Sequence, residues 1–517
     1  MNLKISIFIT SLCLAFPVAG WSQSTATTEV KGNFGEKEIY LQNEEKKLEV
    51  LEITKSTLNT ANWNSIGIIA NEITGIDAKI WSKMGEENLA IKLKELPYQN
   101  FYASRTFLKR ILISELDPPI NASTTRLSGQ FYLLAKIDKL IDMGALDEAE
   151  TIITQVPEMS KEIFIRWAKV SLLTGRVTRM CKNLVKSPQL TSNISLRVIC
   201  FARVNDWDAA ALILASSAAL NLIDENREVL LTRYLDPLTN SDNGAFDFPI
   251  DTDEIDFHIK ETNKISGWNA NNEPRYNFIT IKDDSNPAQQ ILSAEILVRN
   301  KSINGSTLFD LYRTSKLSWA KNIWPRLIAI RNLDLALGRT NSLAIGVALS
   351  TAIKEMRAVD LLAPFASEYA PKLSGIPINM QRGDFNDAFA MLFAAYGEIP
   401  RQWANYTAAN KYVKMAFNIN QDIKIDSKLI SKSVKLLMPP IKQKGISETS
   451  SLKHNREQKH NFKSKGEIIL TALTLTSDGV NTSYEDISTA LNELVEIYEI
   501  ELVKSILTEN LLHYFKP

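Results

Sequence analysis

Cys181 and Cys200 are the residues here whose type and spacing point most directly to a chemistry. The third cysteine, Cys13, lies in an N-terminal leader. An isolated cysteine pair in an exported chain is read first as a disulfide. Each member lies on an apolar helical run, one on either side of a polar turn from Ser187 to Ser192. Two antiparallel helices joined there bring the positions level, and closing so short a loop is worth about 3 kcal/mol. The alternative is a pair of buried free thiols. A catalytic thiol needs a nearby base, and none of His258, His454, His460 and His513 is close to either cysteine in sequence.

Other candidate chemistry is sparse. His454 and His460 stand six apart in a basic stretch, a spacing that does not place two ligands on one helix face, so they read as solvated. Asp251, Asp253 and Asp256 resemble part of a calcium loop, but the glycine and glutamate at its sixth and twelfth positions are missing. A solvated acidic loop is the plainer reading and a weak calcium site the sharper one. Nucleophile elbow, HExxH, Walker loop and dinucleotide fingerprint are all absent. No catalytic residue, cofactor or metal is therefore assigned. Trp268, in the irregular run Gly-Trp-Asn-Ala-Asn-Asn, is the aromatic residue expected to be exposed as a contact; most of the other tryptophans, Trp207 and Trp319 among them, read as core.

These residues must be positioned by helices. Gly144, Gly175 and Asn205 are turn residues spaced 31 and 30 apart, each closing one apolar run and opening a shorter one. Such residues suit the left-handed conformation that ends helices. A fixed period in the thirties marks stacked helix pairs. Phe131, Leu134, Ile137 and Ile141 trace one apolar stripe, and Ile163, Phe164, Trp167, Ala168 and Leu172 its equivalent. Asp147 with Glu150 reads as a capping-box variant. Ala149, Met180 and Ala210 share the slot five residues past each turn, where a small side chain lets helices approach closely.

The run LIDMGALDEAETII resembles a tetratricopeptide unit, with a turn glycine followed by an acidic-Glu-Ala helix start. The stretch from about Trp81 to Leu235 is similar to uncharacterised exported helical proteins of Gram-negative bacteria, on the CFARVNDWDAAAL run, the Leu235-Asp236-Pro237 triplet and the paired cysteines. Some members carry an antifreeze label; this chain has none of the Thr-x-Thr ladders an ice-binding surface needs. The resemblance implies no activity.

The expected fold is all-α: an irregular TPR-like α-solenoid of stacked helical hairpins with a long central loop and a terminal helical cap. Residues 1–22 read as a signal peptide: Lys4, the apolar run Ile5 to Phe16, then Val18-Ala19-Gly20-Trp21-Ser22. Residues 23–43 read as a disordered lead-in, 44–235 as the N-terminal repeat region and 236–287 as an irregular acidic segment. A C-terminal helical region over 288–440, a mobile basic insertion over 441–465 and terminal helices over 466–517 follow. Within these regions helices are expected at Leu89 to Leu96, Tyr102 to Leu116, Ser342 to about Val359, and Asp384 to Ala395. Gly338 and Gly397 serve as stops.

Lys plus Arg equals Asp plus Glu at 59 each, which argues against nucleic acid as the main partner. No later segment reaches 18 apolar residues, so no transmembrane helix is expected. The chain reads as a periplasmic or secreted scaffold binding a protein, peptide or envelope polymer. A cell-wall glycan hydrolase or lyase with unassigned carboxylates is the alternative.

Overall fold

The computed structural model describes residues 63–120, 130–236, 253–262, 273–282, 286–316, 322–339, 341–376, 383–421, 425–437 and 464–514, all within one compact unit spanning 59–517. Helix is the regular structure throughout. Among the described residues there is no strand, only two isolated parallel bridges, Ile69 with Ser114 and Gly85 with Ile120.

The first group is α1 (Asn71–Thr74), α2 (Glu86–Glu95) and α3 (Tyr102–Ile113). Helix α2 stops where Leu96 precedes Pro97, as the steric conflict before proline requires. Helix α3 ends three residues short of the expected Leu116. Ser114 leaves it in extended conformation and its hydroxyl donates to Thr74 Oγ1 (2.8 Å). Leu116 is still buried, beyond the helix.

The stretch in which repeats are expected comprises α4 (Phe131–Asp142), α5 (Leu146–Gln155), α6 (Lys161–Thr174), α7 (Val177–Lys186), α8 (Ile194–Arg203), α9 (Trp207–Ala219) and α10 (Glu225–Leu235). Each helix packs on the next, and α4 also meets α6 as α8 meets α10. Gly144, Gly175 and Asn205 all adopt the left-handed conformation, with φ of 74°, 72° and 68°. After Gly144 and Asn205 the next amide reaches back to the carbonyl of Leu140 or Phe201, so the closing turns satisfy the orphan helix carbonyls. Ser160, Asn193, Asp206 and Asp224 each accept an amide of the first turn they precede. Ala149, Met180 and Ala210 are fully buried in their shared slot.

Three readings of this region change. Phe131 is 52% exposed; the buried face of α4 is carried instead by Tyr132, Leu133, Ile137, Leu140 and Ile141. Asp147 and Glu150 form no capping box. Both carboxylates take Arg176 Nη2 at 2.7 Å, so they join one hairpin to the next. Trp207 is 50% exposed, and Leu212 further along α9 (70%) and Leu220 just past its end (68%) are exposed too.

Beyond α10 comes a helix where irregular chain was expected, α11 (Glu254–Thr262), packed on α6. Asp253 opens it by accepting the amides of Ile255 (3.0 Å) and Asp256 (2.8 Å), a capping arrangement hidden among neighbouring acids. Then come α12 (Pro287–Arg299), α13 (Gly305–Thr314), α14 (Trp324–Gly338), α15 (Ser342–Ala358), α16 (Leu362–Leu373), α17 (Gly383–Tyr396), α18 (Lys411–Gln421) and α19 (Ser427–Leu437). Gly338 is the last helical residue without a left-handed φ, whereas Gly397 stops α17 at a φ of 93°. The last elements are α20 (Lys465–Leu475), α21 (Tyr484–Glu496) and α22 (Ile500–His513). Lys465, assigned to the basic insertion, opens α20 behind a capping box of Ser464 and Glu467. The remainder of that insertion, 441–463, lies outside the described residues, as do the leader, the lead-in and residues 237–252 of the acidic segment.

Helix α22 packs against α17, α18, α19 and α21 and also against α3, near the other end of the chain. Leu502, Val503, Ile506, Leu507, Leu511 and Leu512 are all buried along it. The closing helix thus sits at a meeting point of distant segments.

Candidate functional site

Where α3, α22 and the C-terminal end of α17 converge they line a cavity of about 580 Å³ that is open to solvent. Helix α3 presents Tyr102, Thr106 and Arg110 to it, residues four apart and so on one face. Helix α22 presents Glu501, Ser505, Glu509 and His513. Lys301, after α12, and Asp360, after α15, complete one side, and both hold a left-handed backbone with φ of 59°. That conformation is uncommon for a residue with a Cβ. Here each closes a helix, with the following amide bonded back to Leu297 or Met356, which turns both side chains' segments toward the cavity.

Glu509 is the pivot. Its two carboxylate oxygens accept the backbone N–H groups of Tyr102 (2.7 Å) and Ala103 (2.9 Å), the first two residues of α3. This side chain from α22 therefore caps a helix that has no side-chain cap of its own. Burial lifts the carboxyl from its ordinary 4.5 to about 7, against the pull of those two N–H groups and of Arg105. Arg105 is itself buried and donates to the carbonyls of Gln99 (2.7 Å) and Asn100 (3.0 Å), with Asp360 at 3.9 Å. Lys301 Nζ lies 5.5 Å from the centroid of the Tyr102 ring.

Deeper along α3 the wall is incompletely satisfied. The Thr106 hydroxyl and Arg110 Nε are buried without a hydrogen-bond partner among the described residues. Arg110 packs its guanidinium over the Phe107 ring at 5.2 Å, and among the described residues no carboxylate pairs with it. A half-buried cation in that position gains from an anionic or carbonyl group brought by a ligand. With acids and bases both on its walls, the cavity is suited to a polar or zwitterionic guest.

The residues singled out from sequence lie elsewhere. Cys181 and Cys200 are fully buried between α7 and α8 with their sulfurs at disulfide distance, 2.10 Å. Neither lines the cavity. Trp268, Trp319, Asp251, His454 and His460 lie outside the described residues. Asp253 and Asp256 both pair with Arg227, at 3.0 and 3.2 Å, so these two carboxylates already have a cation. His258 is buried with Nδ1 3.2 Å from the Leu172 carbonyl, and burial lowers its pKa to about 4, which keeps the ring neutral. Of the two described histidines, His513 lines the cavity and His258 does not. Among the described residues no group of three or more His, Cys, Asp or Glu side chains is placed to hold a metal ion.

Glu509, Arg105, Arg110, Lys301 and Asp360 were not anticipated. Nothing local in the sequence marks them, because the site exists only once segments about four hundred residues apart have met. No family model, no curated protein and no solved structure matches the chain.

Proposed function

We propose that this protein is an exported helical-repeat scaffold, a TPR-like solenoid closed by its last helix, that binds a peptide, a protein segment or an envelope polymer in the cavity between α3 and α22. The observation that carries this reading is Arg110, a half-buried cation on the cavity wall with no carboxylate beside it among the described residues. Export is supported by the leader pattern of residues 1–22 and by a cysteine pair at disulfide distance. No described helix is long and apolar enough to cross a membrane. The test is capture from envelope extract with the chain immobilised, run beside Arg110→Glu. Partners retained equally by a folded Arg110→Glu variant would sink the reading.

A second reading, a cell-wall glycan hydrolase or lyase, is favoured by one feature. Glu509 has a pKa near neutrality and shares the cavity with Asp478 and Glu501, as a general acid and its companion carboxylate would. Against it, both Glu509 oxygens already accept main-chain N–H groups, the work of a helix cap. Release of muropeptides by the wild type and not by Glu509→Gln would reverse the preference.

A further inference from the structure

A second concavity, independent of the cavity above, lies between the C-terminal end of α5 and the outer face of α7, with a volume of about 390 Å³. Helix α7 is strongly two-sided. Val177, Met180, Cys181 and Leu184 are buried, and the opposite face carries Arg179, Lys182 and Lys186, all exposed and all lining the groove. The buried face is held against α8 at Cys181, which keeps the cationic face in place.

Among the described residues no carboxylate lines this groove; Glu158, between Pro157 and Met159, stands just outside it. Six arginines elsewhere, Arg166, Arg176, Arg227, Arg275, Arg313 and Arg326, each have a carboxylate within 3.0 Å. Among the described residues none of Arg179, Lys182 and Lys186 is in an ion pair. Three unpaired cations at i, i+3 and i+7 cover roughly 10 Å along the helix axis, too long for one small anion and suited to a chain with several acidic groups.

The wall decides which chain. Trp167 lies beneath Arg179, whose guanidinium is 5.8 Å from the ring centroid, and is only 4% exposed. A sugar or a base would need an open aromatic face to stack on, and this one is covered. Its indole N–H is buried without an acceptor among the described residues. The opposite rim offers apolar surface at Pro157, which is exposed, and Met159, which is half-buried, beside the hydroxyl-bearing Thr154. We propose that the groove between α5 and α7 docks an acidic peptide segment of a partner protein, its carboxylates on Arg179, Lys182 and Lys186 and an apolar side chain against Pro157 and Met159.

The probe is a fluorescein-labelled Glu-Leu-Glu-Glu-Leu-Glu peptide, with a Gln-for-Glu version and hexagalacturonate as comparators, read by anisotropy on the full oxidised chain. Binding of the acidic peptide should weaken with salt. It should weaken about tenfold or more in the combined variant Arg179→Glu, Lys182→Glu, Lys186→Glu, which reverses three exposed charge contacts. Lys186→Glu alone, at the exposed last position of α7, serves if the combined variant does not fold, and Pro157→Ser should weaken the peptide without touching charge. The proposal fails if the wild type does not bind the peptide, if the folded variants bind it as well as the wild type does, or if the Gln peptide or hexagalacturonate binds as tightly.

Discussion

Glu509 sits on the N-terminus that Tyr102 opens, accepting its N–H at 2.7 Å across 407 residues of sequence. The contact couples the last helix of the chain to one of its first. It also places a carboxyl that burial pushes up to about 7 on the wall of the candidate site.

A pH-dependent stability follows from that carboxyl. Its folded pKa, about 7, lies above the ordinary 4.5. The stabilisation of its neutral form is therefore complete below pH 4.5, is lost as the pH rises toward 7, and is gone above it. His258 works in the opposite sense. With a folded pKa of about 4 against 6.5, it contributes above pH 6.5 and loses that contribution as the pH falls. Total stability mixes the two, so the informative quantity is the difference between wild type and Glu509→Gln. Raising the pH from 4.5 to 7 should lower the wild type relative to the variant by up to roughly 3 kcal/mol. Thermal melts of both proteins across that range read it. A carboxylate acting as an ordinary exposed cap, with a depressed pKa, would give the opposite slope.

Cys181 and Cys200 should be joined in the native protein. Non-reduced digests should yield the two peptides linked, and reduction should destabilise the fold by about 3 kcal/mol for a loop of this length. Both thiols recovered free, or a melting temperature indifferent to reductant, would show that α7 and α8 hold each other by packing alone.

What the sequence made legible was local. The turn residues Gly144, Gly175 and Asn205 could be found because a left-handed backbone selects glycine or asparagine wherever the helices go. The cysteine pairing could be found because helix register and one turn determine it. Trp207 misled because an apolar residue at a helix start carries no mark of whether another element covers it. Asp147 and Glu150 misled because a cap and an ion pair to the next hairpin ask for the same residues. The cavity was illegible for a simpler reason: Glu509 and Arg110 differ in no local way from solvated surface charges until α22 meets α3.

Gly466 supplies a test in which two effects have opposite signs. In α20 an alanine should gain about 1 kcal/mol in helix propensity. A Cβ on Gly466, however, would stand 2.5 Å from Trp81 Cε3 and 2.7 Å from the Ile80 carbonyl oxygen, and Trp81 is fully buried. Overpacking of that kind costs about 1–3 kcal/mol, so Gly466→Ala should lower the denaturant midpoint. Gly338→Ala is the matched control, since its Cβ would meet nothing within 4 Å, and it should raise stability slightly. If both alanines stabilise, α20 does not dock on Trp81 as closely as described.

The last prediction concerns Glu295 and Arg326, whose side chains are 3% and 9% exposed. Arg326 donates Nε to Oε1 and Nη2 to Oε2, both at 2.9 Å, and the Tyr312 hydroxyl donates to Oε1 at 2.7 Å. These bonds tie α12, α13 and α14 together. The pair's net worth is small, because taking two charges out of water offsets most of their attraction. Breaking it is another matter. Arg326→Met leaves a carboxylate buried beside a tyrosine and should cost about 3–5 kcal/mol. Adding Glu295→Met to that variant removes the stranded charge, so the double variant should be more stable than the single one despite carrying one more substitution. Urea unfolding of the three proteins measures this directly. A double variant less stable than Arg326→Met would mean that the unpaired carboxylate is not the dominant cost, and that Glu295 still contributes through its bond from the Tyr312 hydroxyl.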